Sequence, residues 1–156
     1  MRALLPITLL VAAASAACSA SLIPNTLVED STQNRKVVLF CEEYRHAVED
    51  KNIGKLVSMA SPQYHSRGTG THDFVDFDRL KGTLTTDVPK TNAIRYEIKY
   101  QRVMFGENNH VLVNFRYAAS WKAVKADGSE EWQHRVADNQ IDLVPEGDSY
   151  KIIAGM

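Results

Sequence analysis

An α+β domain, with N-terminal helices packed on a strongly curved antiparallel sheet, is the fold class that this 156-residue sequence predicts. Residues 94–143 hold three long segments in which apolar and polar residues alternate, the period of strands with one buried face. Residues 37–48 instead repeat apolar positions at intervals of three and four, as a helix packed by one stripe does. The length suits one ordinary domain and is too short for two.

Composition narrows the class further. With 44% hydrophobic and 24% charged residues the chain can form a core and is neither disordered nor fibrous. Eighteen basic residues against 19 acidic ones leave a net charge of −1, so no overall field draws in nucleic acid, and no nucleic-acid partner is expected.

The first residues read as an export signal. Arg2 supplies a positive charge, residues 3–14 are mostly apolar, and Ser15, Ala16 and Ala17 are small. The apolar run falls short of the roughly 18 residues that a spanning helix needs. Ser15-Ala16-Ala17-Cys18 resembles the lipobox of bacterial lipoproteins, with serine where leucine is usual. That resemblance implies removal of residues 1–17, acylation of Cys18, and a tether over residues 18–33 leading to a domain over residues 34–156. Several acyl chains anchor stably, because each buried methylene adds about 0.8 kcal/mol. Ser19 in place of aspartate is similar to what directs such lipoproteins to the outer membrane, facing the periplasm. The alternative is cleavage at Ala14-Ser15-Ala16, which leaves a soluble secreted domain.

In the mature chain Pro24 and Asn25 interrupt any sustained period, hence the tether. Asp30 or Ser31 offers an N-cap, and Gln33 stands at capping-box spacing from Asp30. The stripe Val37, Cys41, Tyr44 and Val48, broadened by Phe40 and Ala47, then defines the first helix. It turns Cys41 inward as a small hydrophobe, not a reactive thiol. Leu56, Val57 and Met59 mark a second helix, closed by Ser61-Pro62. Residues 63–71 read as a loop, and a third helix covers residues 77–84, with aspartates at its start.

Ile94, Tyr96, Ile98 and Tyr100 form the first strand, and a shift of phase at Arg102, Val103 and Phe105 predicts a bulge. Val111, Val113, Phe115, Tyr117, Ala119 and Trp121 form the second, and Asp127-Gly128 turns the hairpin. The third, residues 132–144, is irregular: Ala137, Asn139, Ile141 and Leu143 share one face, Trp132, His134, Val136 and Asp138 the other. A second phase shift near Val136 is expected to bring members of both sets inward. A final short strand covers residues 150–153.

The opening helix over residues 34–49 with Tyr44-Arg45, the segment 56–64 and the closing 146–156 together resemble the nuclear transport factor 2-like superfamily, including uncharacterised envelope lipoproteins. The resemblance implies a cone whose wide end holds a pocket. It also implies either a cofactor-independent isomerase, dehydratase or cyclase, or a binding or homodimerising module. In such enzymes a carboxylate or imidazole, desolvated toward neutrality, works opposite an oxyanion donor. The residues of this chain that can converge so are Asp138 as base, His134, and Asn139, Tyr96 or Tyr117 as pocket or donor groups. Set against this, simple alternation puts Asp138 and His134 on a solvated face.

Neither a metal nor a cofactor is expected. His65, His72 and Asp73 lack zinc-site spacing, and Asp73, Asp76 and Asp78 lack the glycine and terminal glutamate of a calcium loop. The aromatics Trp121, Trp132, Phe115 and Tyr117 either fill the core or offer a homodimer surface on the sheet. The favoured function is a non-catalytic binding or assembly domain for an apolar small molecule, and the alternative is the cofactor-independent enzyme.

Overall fold

The computed structural model describes residues 21–67 and 74–156; the expected export signal, Cys18, His72 and Asp73 lie outside the described residues. Helices α1 (Thr32–Glu49) and α2 (Ile53–Met59) precede a short ribbon, β1 (His65–Arg67) with β2 (Phe74–Asp76). Helix α3 (Phe77–Asp87) follows, then β3 (Thr91–Phe105), β4 (Val111–Val124), β5 (Glu130–Glu146) and β6 (Ser149–Ala154). The last four form one antiparallel meander in chain order, and the helices pack against its concave face. Among the described residues no helix is long and apolar enough to cross a membrane.

Helix α1 begins where Ser31 Oγ accepts the Asn34 N–H at 3.1 Å. Asp30, the other expected cap, is drawn instead into an ion pair with Arg35, and the capping box does not form. The predicted stripe is buried: Val37, Val38, Phe40, Cys41, Tyr44 and Ala47 meet the sheet. Each such aliphatic or aromatic side chain removed from water contributes about 1.5–3 kcal/mol. Cys41 is 1% exposed, and burial pushes its thiol up to about 12, so it packs and does not react.

A polar seam joins α1 to the edge strand β3. Arg45 bridges Glu42 at 2.9 Å and Glu49 at 2.6 Å. Glu49 Oε1 accepts the Tyr96 N–H at 2.9 Å, and Tyr100 Oη donates to Glu42 Oε1 at 2.8 Å. The Glu49 bond occupies a β3 edge N–H that has no strand neighbour on that side.

The expected tether is more ordered than its sequence suggests. Leu22 pairs with Glu29, the Ile23 N–H donates to Val28, and the Leu27 N–H donates to the Tyr100 carbonyl at 2.9 Å. Val28 is 3% exposed, so one apolar residue pins this turn to the core and covers the β3 edge. Residues 65–67, read as loop, form β1. Three-residue strands are too short to show a period, which is why the ribbon escaped notice.

The bulge predicted near Arg102 is present: the β3–β4 register shifts between Tyr100 and Arg102. The one expected near Val136 is absent. The β4–β5 ladder runs unbroken from Val111 opposite Leu143 to Val124 opposite Glu130, and the shift in this region lies between Asp142 and Leu143, against β6.

Candidate functional site

A cavity of about 480 Å³ opens at the end of the concave face away from the densest core. Helix α1 supplies Tyr44 and Val48, β3 Ile94 and Tyr96, and β4 Tyr117, Ala119 and Trp121. Strand β5 contributes Arg135, Ala137, Asp138 and Asn139, and β1 contributes Ser66 and Arg67. Gly155 and Met156 close one side.

The register explains which β5 residues enter. Tyr117 faces Ala137 across the ladder, Ala119 faces Arg135 and Phe115 faces Asn139, and directly opposed residues share a face. Tyr117 and Phe115 point to the helices, so Arg135, Ala137 and Asn139 do too. The rings stack in sequence: Tyr44 lies 6.2 Å from Tyr96 edge-on, Tyr96 5.4 Å from Tyr117, and Tyr117 6.4 Å from Phe115. Burial raises the phenol pKa of both Tyr44 and Tyr96 above the ordinary tyrosine value, so both stay protonated at neutral pH; Tyr44 donates to Tyr96, which keeps its own proton to give.

Of the residues singled out from sequence, Tyr96, Tyr117 and Asn139 share the concave face. Asn139 is engaged there, its Nδ2 donating to the Gly155 carbonyl at 3.0 Å. Asp138 and His134 fall one residue out of phase. Asp138 lies opposite Arg116 and borders the cavity, and its carboxylate accepts from the Gln101 amide at 3.4 Å. His134 lies opposite Ser120, with Nδ1 2.9 Å from the hydroxyl, and stacks beside Trp132. Both are exposed, and without the shift near Val136 the two sets never mix. Asp138 still lines the cavity beside Tyr96, Tyr117 and Asn139, while the expected convergence of His134 with them is corrected by the register.

Arg135 and Arg67 are the cavity residues that sequence reading passed over. A signal for Arg135 existed, since it stands two residues from Ala137 and shares its face. Nothing in a three-residue strand pointed to Arg67.

The remaining polar candidates have structural roles. Asp76 caps α3 by accepting the Arg79 N–H at 2.9 Å, and His65 stacks on Phe74 with ring centroids 4.8 Å apart. Among the described residues no cluster of three histidine, cysteine or acidic side chains is arranged to hold a metal. On the outer face Trp132 and Val136 are 44% and 61% exposed, with Lys122 Nζ 5.6 Å from the Trp132 ring centroid. Phe115, by contrast, is fully buried, and Trp121 lines the cavity.

No protein-family model matches the chain, and no curated protein matches its sequence significantly. In fold it is similar to many solved structures. A candidate dehydratase of the nuclear transport factor 2-like family from Streptomyces avermitilis superposes with a TM-score of 0.66 at 11% identity, over 80% of this chain and 94% of that one. A candidate scytalone dehydratase from Novosphingobium aromaticivorans gives 0.65 at 12% identity, over 79% and 80%. ActVI-ORFA from Streptomyces coelicolor gives 0.63 at 8% identity, over 80% and 95%. The chain thus has the nuclear transport factor 2-like fold, and at these identities the likeness defines the fold alone.

Proposed function

We propose that this is an envelope lipoprotein, held by acyl chains on Cys18 at the periplasmic side of the outer membrane, whose domain binds an apolar small molecule without transforming it. The observation that carries the binding reading is the cavity of about 480 Å³ walled by Tyr44, Tyr96 and Tyr117 with Val48, Ile94 and Trp121. Its volume lies within the roughly 300–1,000 Å³ of small-molecule sites, and its aromatic and aliphatic wall suits an apolar guest. The address rests on residues 1–19 of the sequence.

One feature supports the alternative of a cofactor-independent isomerase, dehydratase or cyclase. The protonated phenol of Tyr96, which accepts from Tyr44, can donate to a developing oxyanion. Asp138 is the carboxylate among the residues lining the same cavity, with Oδ1 accepting from Gln101 at 3.4 Å.

Two measurements test the favoured reading. Intact mass spectrometry of the protein purified from its native envelope is expected to show a chain beginning at Cys18 with acyl mass added; an unmodified Cys18 in the mature chain sinks the anchor. Ala137, opposite Tyr117 and lining the cavity, is the place to fill it. Ala137→Phe is expected to fold and to weaken binding of naphthalene derivatives by about tenfold or more, the loss of roughly 1.4 kcal/mol of buried contact. Unchanged affinity in the folded variant removes the cavity as the site.

A further inference from the structure

We propose that the cavity selects an apolar molecule that carries an anionic head, a carboxylate above all, which Arg135 and Arg67 hold at the rim. This deepens the binding reading and rests on it.

The two arginines line one cavity from different elements, Arg135 from β5 on the concave face and Arg67 from the β1–β2 ribbon. Among the described residues neither has a hydrogen bond or ion pair, whereas Arg35 and Arg45 are paired with Asp30, Glu42 and Glu49. The acids nearest Arg135 along β5 are engaged with other partners: Glu130 with Lys122 at 3.0 Å, Glu131 with Lys125 at 2.9 Å, and Asp138, which also lines the cavity, with Gln101 at 3.4 Å. No carboxylate of the described chain therefore occupies these arginines from within.

Unpaired arginines also stand on the outer face. Arg95 and Arg116 lie opposite Ser120 and Asp138 there, in open water. What sets Arg67 and Arg135 apart is an aromatic wall beside them. A guanidinium presents a planar fork that matches a carboxylate bidentately, and it gains from a neighbouring apolar surface that keeps water off the pair. Wall and rim together recognise an amphipathic anion: the body lies against Tyr96 and Tyr117, and the head turns out to the arginines. With a net charge of −1 the whole protein offers such an anion no attraction, so selection is local.

Calorimetric titration of the domain with 2-naphthoate, decanoate and their neutral partners 2-naphthalenemethanol and decanol tests this. Each acid is expected to bind about tenfold or more tightly than its alcohol, the worth of one charge-assisted contact. The advantage shrinks as salt rises. In an Arg67→Gln/Arg135→Gln double variant the acid falls to the affinity of the alcohol, and the alcohol is unchanged. Both side chains are exposed, so folding is retained. Equal binding of acid and alcohol by the wild type, or an acid preference that survives the double variant, overturns the proposal and leaves the apolar-pocket reading standing. Failure of all four compounds to bind overturns both.

Discussion

Phe115→Ala is expected to lower the unfolding free energy by about 3–5 kcal/mol, the cost of removing a fully buried aromatic and leaving a cavity. Phe115 has no exposed surface and sits mid-sheet on β4, with Tyr100 opposite it on one side and Asn139 on the other. Its ring lies 6.3 Å from Tyr100 and 6.4 Å from Tyr117, so its loss unsupports both the α1–β3 seam and the cavity wall. Domains of this size are stable by only about 5–15 kcal/mol, so the loss is a large share of the whole. Urea unfolding checks it: the midpoint falls sharply while the slope holds, because the area exposed on unfolding hardly changes. Leu39, on α1 but 64% exposed, is the control, and Leu39→Ala should change stability by no more than about 0.5 kcal/mol. Equal effects at the two positions contradict the placement of the core.

That core was legible in the sequence for a simple reason. Val111, Val113, Phe115, Ile141 and Leu143 are apolar at every second position, so alternation names both the strand and its buried face. The bulge at Arg102 was legible too, because Val103 and Phe105 break phase with Tyr100. The α1 stripe, Cys41 included, followed from helical spacing.

The cavity end of β5 was not legible, and the same rule explains why. Period 2 says which residues share a face but not which face is inward; only composition says that, and here composition misleads. The inward set holds Gln133, Arg135 and Asn139, while the outward set holds Trp132 and Val136, the latter 61% exposed. A binding cavity needs polar groups inside, and an open sheet face tolerates apolar ones outside. A phase shift near Val136 would restore an ordinary pattern, and the unbroken ladder shows that β5 departs from that pattern instead. The hairpin at residues 22–29 was hidden for another reason: it is held by backbone bonds and by Val28, and a single buried residue makes no pattern.

Gly155→Ala is expected to cost roughly 3 kcal/mol, near the top of the range for a surface-adjacent backbone change, because two penalties add. Gly155 has φ +92°, a region that side-chain-bearing residues avoid. A Cβ there would also overlap the Gln140 carbonyl and stand 3.0 Å from Ile141 Cα, both backbone atoms of β5 that cannot swing aside. Gly147→Ala separates the two effects. Gly147 has φ +59° with nothing within 4 Å of a built Cβ, so that variant pays the conformational penalty alone, about 1–2 kcal/mol. At roughly 2–4 °C per kcal/mol, thermal unfolding should resolve the pair, with Gly155→Ala lower by several degrees. The clash has a functional consequence as well. Gly155 accepts the Asn139 amide and donates to Ser66 Oγ at 3.4 Å, and the Met156 N–H donates to Tyr64 Oη at 3.1 Å. Moving this segment off β5 therefore shifts Ser66 and, one residue on, Arg67. Carboxylate selectivity should fall in Gly155→Ala and persist in Gly147→Ala, whose turn lies away from the cavity. Equal stability loss in the two variants means that the close approach to Gln140 carries no weight.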